Sequence, residues 1–216
     1  CMNVMKAREL FEADKSLVVI TRGDVDEINV CVDIHGQYYD LLNIFKLNGD
    51  PSKENPYVFN GDFIDRGSFS VEVIMTLLSW KVCYPEHFFM SRGNHETAQL
   101  NKLYGFYGEV LHKYDSKVYE LFNDLFKHLP LSHCINKKVF VTHGGLFAKD
   151  GVKLEDIRKT QRVKEPGDEG IMVDCLWSDP SDTNGRNPSK RGISCMFGPD
   201  VTERFLDGNG LSKYLE

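Results

Sequence analysis

The sequence predicts an α/β protein, on the strength of three observations. Short β-branched or aromatic runs recur at residues 28–32, 57–59, 87–90 and 139–142, each of strand length. Between them lie longer segments whose apolar residues repeat at helical spacing. Each of the four runs ends in a polar loop containing glycine, and open α/β sheets build their sites at such strand ends. A chain of 216 residues is of one-domain size, so residues 1–216 are read as a single domain.

The elements follow in order. Residues 5–14 are helix-like, with Leu10 and Phe11 on one side and charges on the other. A polar turn is expected at 23–27, and the first strand at 28–32. A helix over 38–47 carries Leu41, Leu42 and Phe45 at helical spacing, and the Asn48-Gly49-Asp50-Pro51 run stops it. Tyr57–Phe59 is a buried strand that Asn60 and Gly61 turn out of the sheet. Over 69–84, Val71, Ile74, Leu77 and Leu78 form one apolar stripe, and Pro85 ends that helix. Residues 87–90 are the next strand. An aromatic-rich connection broken by Gly105 and Gly108 follows, and Asp115 then caps a helix over 116–129. Ser132–Ile135 and Val139–Thr142 flank Asn136-Lys137-Lys138 as a hairpin. Residues 146–175 are mixed in character, with a short helix at Leu154–Lys159. Residues 178–191 are polar and rich in Pro, Gly, Asn and Ser, hence a long surface loop, and Pro199 opens a last helix.

Composition narrows the function classes. A 41% hydrophobic and 27% charged content is that of a soluble globular domain. A net charge of -6 leaves no electrostatic footprint for nucleic acid, so none is expected as a partner. No apolar run approaches the roughly 18 residues of a membrane-crossing helix, and the first residues do not resemble a signal peptide. The six cysteines are widely spaced, lack a CxxC pair and sit mostly among apolar neighbours, so they are read as reduced core residues.

The chemistry lies in the four loops: Asp33-x-His35-Gly36, Gly61-Asp62-x-x-Asp65-Arg66-Gly67, Gly93-Asn94-His95-Glu96 and His143-Gly144-Gly145. Laid side by side in parallel, the four strands would collect Asp33, His35, Asp62, Asn94 and His143 in one pocket. Mixed oxygen and imidazole ligands suit first-row metals such as manganese, iron or zinc. A bridging carboxylate can hold two such ions. Any one of these loops is also an ordinary strand-end turn; their agreement is what points to a site.

With those loops in view, the sequence resembles the phosphoprotein phosphatases, the metal-dependent serine/threonine protein phosphatases. Asp33-x-His35-Gly36, Gly61-Asp62-x-x-Asp65-Arg66-Gly67 and Arg92-Gly93-Asn94-His95-Glu96 match that family's three signature motifs in order and spacing. The resemblance covers essentially the whole chain. It implies a metallophosphatase fold, a central β-sandwich flanked by helices, and hydrolysis of phosphoserine and phosphothreonine in proteins. It implies two divalent ions (manganese, iron or zinc), one held by Asp33, His35 and Asp62 and the other by Asp62, Asn94, His143 and one further histidine. His95 resembles the general acid and Asp65 its orienting partner, while Arg66, Asn94 and Arg191 resemble the phosphate-binding groups. Phosphoprotein substrates are the expected partners, with regulatory or chaperone partners for a longer form. The cytoplasm is the expected compartment, with the nucleus as a second.

Three departures from the family pattern stand out. Val32 occupies the place of a glycine before the first aspartate, where a β-branched residue stiffens the loop. The tetratricopeptide repeats of the branch it most resembles are absent. The chain also stops at Glu216, before the family's next motif, so the fold is expected without its C-terminal part, without the last ligand histidine, and with reduced turnover. Two rival readings follow: a weakly active or inactive chain that binds phosphoprotein or regulatory partners, and a related metallohydrolase acting on nucleotides or small phosphate esters.

Overall fold

The structure, a computed structural model, describes residues 2–21 and 27–216. The polar turn expected at 23–27 lies, up to Asp26, outside the described residues. In chain order the first elements are α1 (Met2–Ala13), β1 (Leu17–Ile20), β2 (Asn29–Cys31), α2 (Tyr38–Asn48), β3 (Tyr57–Phe59), α3 (Ser70–Cys83) and β4 (Phe88–Met90). Then come α4 (Ala98–Leu103), α5 (Phe106–Lys113), α6 (Ser116–His128), β5 (Ser132–Ile135), β6 (Val139–Thr142) and α7 (Leu154–Lys159). The chain closes with α8 (Ile171–Trp177), β7 (Asp179–Pro180), β8 (Arg186–Pro188), β9 (Cys195–Phe197), α9 (Pro199–Asn209) and β10 (Lys213–Leu215). They fall into two compact units, Cys1–Ala13 with Asp24–Leu129 and Asp14–Gly23 with Pro130–Glu216.

The first unit is built on a parallel sheet of order β2-β3-β4. Strands β3 and β4 are buried throughout, which is why they read as unbroken apolar runs rather than alternating ones. Helix α2 connects β2 to β3 and α3 connects β3 to β4, the crossover that parallel neighbours require. The stripe Val71, Ile74, Leu77 and Leu78 is buried as its spacing implies, in a core with the stacked rings of Tyr57 and Phe59. Leu42 differs: it is exposed, because Leu41 and Phe45 (i, i+4) already supply the inward face of α2. Asp115 caps α6 as expected, accepting from the Val118 N–H at 2.9 Å. The connection expected to be irregular is largely helical. Gly105, at φ 125°, begins α5, and Gly108 lies within it.

The second unit holds a four-stranded sheet of order β1-β5-β6-β10 and a three-stranded sheet of order β7-β9-β8. The β5–β6 hairpin forms as read, with Asn136 and Lys137 at φ 50° and 56° in the left-handed geometry that tight hairpins favour. Its strand β6 does not extend the β2-β3-β4 sheet. It pairs antiparallel with β5 and parallel with β10, which satisfies both of its edges. The polar stretch 178–191, expected to be a loop, supplies β7 and β8, and the mixed stretch supplies α8. Cys134, Cys175 and Cys195 are buried and reduced, whereas Cys83, at the end of α3, is exposed. Among the described residues, no helix is long and apolar enough to cross a membrane.

Candidate metal and phosphate site

The three parallel strands end level with one another, with Cys31 beside Phe59 and Phe59 beside Met90. The loops that follow are therefore launched side by side, and their backbones interlock. The Asp62 carbonyl accepts from the Ile34 and His35 N–H groups at 3.0 and 2.9 Å. Gly67 N–H donates to the His35 carbonyl at 2.9 Å. This interlocking holds four non-glycine residues in the left-handed region: His35 (φ 44°), Asp62 (51°), Asp65 (71°) and Arg66 (64°). Such conformers cost about 1–3 kcal/mol each and persist where the surroundings over-determine them. Two glycines permit the close approach. A Cβ at Gly67 would lie 2.2 Å from the His35 carbonyl oxygen, and one at Gly93 2.2 Å from Asp62 Oδ1.

Within these loops, His35 Nδ1 donates to the Ile64 carbonyl at 2.8 Å, which leaves Nε2 as the lone-pair nitrogen. That nitrogen faces Asp62 Oδ2 at 3.3 Å and Asp33 Oδ2 at 3.8 Å, yet it is buried with no hydrogen-bond partner. Asn94 Oδ1 is likewise buried with no partner. Thr97 Oγ1 donates to the Asn94 carbonyl at 2.7 Å, anchoring the backbone of that loop. Two carboxylates, an imidazole lone pair and an amide oxygen make an electron-rich set whose chemistry suits a cation. Two ligands at about 2.1 Å from one ion stand roughly 3.0–3.4 Å apart, the separation found between His35 and Asp62.

His95 is buried beside this set. Its Nδ1 lies 2.7 Å from Asp65 Oδ2, so the proton sits on Nδ1. The other carboxylate oxygen of Asp65 accepts from the Phe106 N–H at 2.9 Å, which fixes its orientation. Arg66 Nη2 is 3.1 Å from His95 Nε2 and donates to it. The backbone N–H of His95 donates to Asp62 Oδ1 at 3.0 Å. Donor atoms of His35, Asp62 and His95 all lie within 4.8 Å of one another.

Two carboxylates that sequence reasoning left aside hold this arrangement together. Glu96 is fully buried and accepts from the N–H groups of Asp62, Phe63 and Gly93 at 2.8, 2.9 and 2.9 Å. Burial first, and then the neighbouring Asp62, push its carboxyl up to about 8 against the pull of those three donors. Glu109 accepts from the Ser70 and Val71 N–H groups at 3.0 and 2.8 Å, so a side chain from α5 serves the N-terminus of α3. The bonds of Glu96 to Asp62 and Phe63 and both bonds of Glu109 span more than thirty positions of sequence, so no local pattern marks them.

The remaining expected residues lie in the second unit. His143 directly follows β6, and the next N–H, that of Gly144, donates to the Cys175 carbonyl at 2.7 Å. Arg191 places its fork on Asp179, with Nε and Nη2 at 2.8 and 2.9 Å from the two carboxylate oxygens. The structure thus brings Asp33, His35, Asp62, Asp65, Arg66, Asn94 and His95 together in the first unit.

Comparison with known proteins shows the family. Residues 27–215 match the calcineurin-like phosphoesterase family. The chain is 57% identical over 208 residues to serine/threonine-protein phosphatase 5 of Homo sapiens, covering 96% of this chain and 42% of that protein. It is 57% identical over 187 residues to serine/threonine-protein phosphatase T of Trypanosoma brucei brucei, covering 86% of this chain and 40% of that one. The chain therefore spans about two fifths of the length of these relatives. A solved protein serine/threonine phosphatase of Saccharomyces cerevisiae superposes with a TM-score of 0.96 at 40% identity, covering 99% of this chain and 68% of that one.

Proposed function

Since this chain belongs to the calcineurin-like phosphoesterases, and among them to the serine/threonine protein phosphatases, we propose that it hydrolyses phosphoserine and phosphothreonine in proteins. The observation that carries the reading is His95, held between Asp65 at 2.7 Å and Arg66 at 3.1 Å. An imidazole oriented by a carboxylate on one nitrogen and exposed to a phosphate-binding cation on the other is equipped to protonate a leaving oxygen.

The donor set fits divalent ions. Buried and unpartnered, His35 Nε2 and Asn94 Oδ1 have lone pairs that a cation would satisfy, and carboxylate with imidazole suits manganese, iron or zinc. Asp33, His35 and Asp62 would hold one ion. Asp62 and Asn94 would hold a second, with His143 added to that set on the family resemblance alone. Bound there, the ions would supply Lewis acidity toward the phosphate oxygens and toward a water molecule.

The chain's own residues do the rest. Arg66 binds the phosphoryl oxygens, for which a guanidinium fork is suited, and so leaves His95 Nε2 free to carry a proton. Arg191 takes the same role once it leaves Asp179, again by resemblance. Water attacks phosphorus in line, the bond to the serine or threonine oxygen breaks, that oxygen takes the proton from His95 Nε2, and of the two protons of the water one stays on the phosphate and the other restores the imidazolium. Asp65 keeps the imidazole in the productive tautomer and stabilises its charged form. No side chain is covalently modified.

Phosphate release from a phosphothreonine peptide tests the proposal. Release that stops with a chelator and returns with added manganese supports it. A metal-loaded chain that binds the peptide without releasing phosphate would replace it with the binding-only reading.

A further inference from the structure

The second unit contains a cavity of about 360 Å³ that belongs to neither the expected metal set nor the phosphate-binding groups. It lies between the turn at 149–153 and helix α9. Its floor is apolar. Leu146, Phe147, Val201 and Phe205 are all buried, and the Phe147 and Phe205 rings meet at 5.5 Å between centroids. The size is at the lower end of ligand pockets, enough for one large side chain and its neighbours.

The rim is charged, and its sign runs against that of the chain. Lys149, Lys153, Arg186 and Arg204 line it, against the carboxylates of Asp150 and Asp207. With Asp200, which pairs Arg204 at 2.8 Å from just outside the lining, four cations stand against three carboxylates, a locally positive collar on a chain whose net charge is -6. The arginines are held in place. Arg186 Nε donates to the Phe147 carbonyl at 2.7 Å, and Asp150 Oδ1 stands 2.9 Å from Arg186 Nη1 and 3.5 Å from Arg204 Nε. Lys153 Nζ is tied to the Gly208 carbonyl at 2.7 Å. Arg204 Nη1 also donates to Asp200 Oδ2 at 2.8 Å, and two carboxylates still leave the N–H donors of two guanidinium groups partly unused.

We propose that this cavity is a docking site for an acidic peptide, one that inserts an aromatic side chain into the apolar floor and lays flanking carboxylates on the basic rim. Buried aromatic anchors supply most of the energy of such contacts, and complementary charge supplies partner choice and encounter rate. The occupant is a partner's segment rather than the phosphorylated residue: none of the lining residues belongs to the proposed catalytic set.

The test uses the whole chain and three synthetic, unphosphorylated peptides carrying a fluorophore: Glu-Glu-Phe-Glu-Glu, the same peptide with Ala for Phe, and Lys-Lys-Phe-Lys-Lys. Binding is followed by anisotropy at two salt concentrations. Two variants accompany the parent. The double variant Lys149→Glu with Arg204→Glu reverses the collar. Gly208→Leu crowds the mouth; a Cβ there meets only Lys153 Nζ outside its own helix, at 3.5 Å, so the variant keeps its fold. Circular dichroism checks that both variants fold. The expected result is saturable binding of the acidic Phe peptide that weakens about tenfold or more in each variant and with each control peptide, and that falls as salt rises. No saturable binding, or binding that ignores the variants or the peptide's charge, overturns the proposal.

Discussion

Replacing Glu96 with Gln is the sharpest perturbation of the arrangement that holds the proposed metal set. The carboxylate accepts three N–H groups at 2.8–2.9 Å with no exposure to solvent: Oε2 takes those of Asp62 and Gly93, and Oε1 takes that of Phe63. A glutamine has one acceptor oxygen. Turned to keep Asp62 and Gly93, it points an NH2 at the Phe63 N–H; turned the other way, it abandons two donors instead of one. At least one buried N–H then lacks an acceptor, at about 1–3 kcal/mol. Against a typical total of roughly 5–15 kcal/mol, the variant stays folded but loosened. The Asp62 backbone is what Glu96 holds, so affinity for manganese should fall roughly 10–100-fold, as it does when the support behind a ligand is removed. Equilibrium urea unfolding of the metal-free chain gives the first number and manganese titration the second. Parent-like stability together with parent-like affinity would refute the assignment of Glu96 as the clamp between the loops.

His95→Asn should leave manganese binding intact while lowering phosphopeptide turnover by on the order of 10²–10⁴-fold, as for loss of a general acid; steady-state phosphate release reads this. The loss should shrink with an aryl phosphate, whose leaving group needs little protonation. Arg66→Ala should raise KM for the phosphopeptide and weaken inhibition by inorganic phosphate, because the guanidinium proposed to bind the phosphoryl oxygens is gone; unaltered phosphate inhibition would remove Arg66 from that role. Gly93→Ala places a methyl group 2.2 Å from Asp62 Oδ1, so the loops must part; a lowered Tm and loss of bound manganese, measured on the same sample, are expected.

The parts of this fold that were legible in sequence are those whose cause is local. Tyr57–Phe59 reads as a strand because three successive apolar residues are buried on both faces, and the α3 stripe reads as a helix because only one face is buried. The Asp115 cap and the Asn136 turn act within three or four residues of themselves. The candidate site residues of the first unit were legible for a different reason: glycine beside Asp, His and Asn at each strand end is needed where backbones interlock at 2.9–3.0 Å. Features that depend on distant partners were hidden. Glu96 reads as the end of a motif until Asp62, 34 positions earlier, is placed beside it. The sheet that β6 joins depends on β10, more than seventy residues on, and Leu42 matches the helical period but faces solvent. Gly105 reads as a break until its backbone is seen to open α5.

The most direct test of the central claim is an anomalous difference map from crystals of the chain grown with manganese. Peaks within bonding distance of His35 Nε2 and of Asn94 Oδ1, both shared with Asp62, are the predicted result. Strong peaks elsewhere, with His35 Nε2 and Asn94 Oδ1 left without a metal neighbour, would contradict the account.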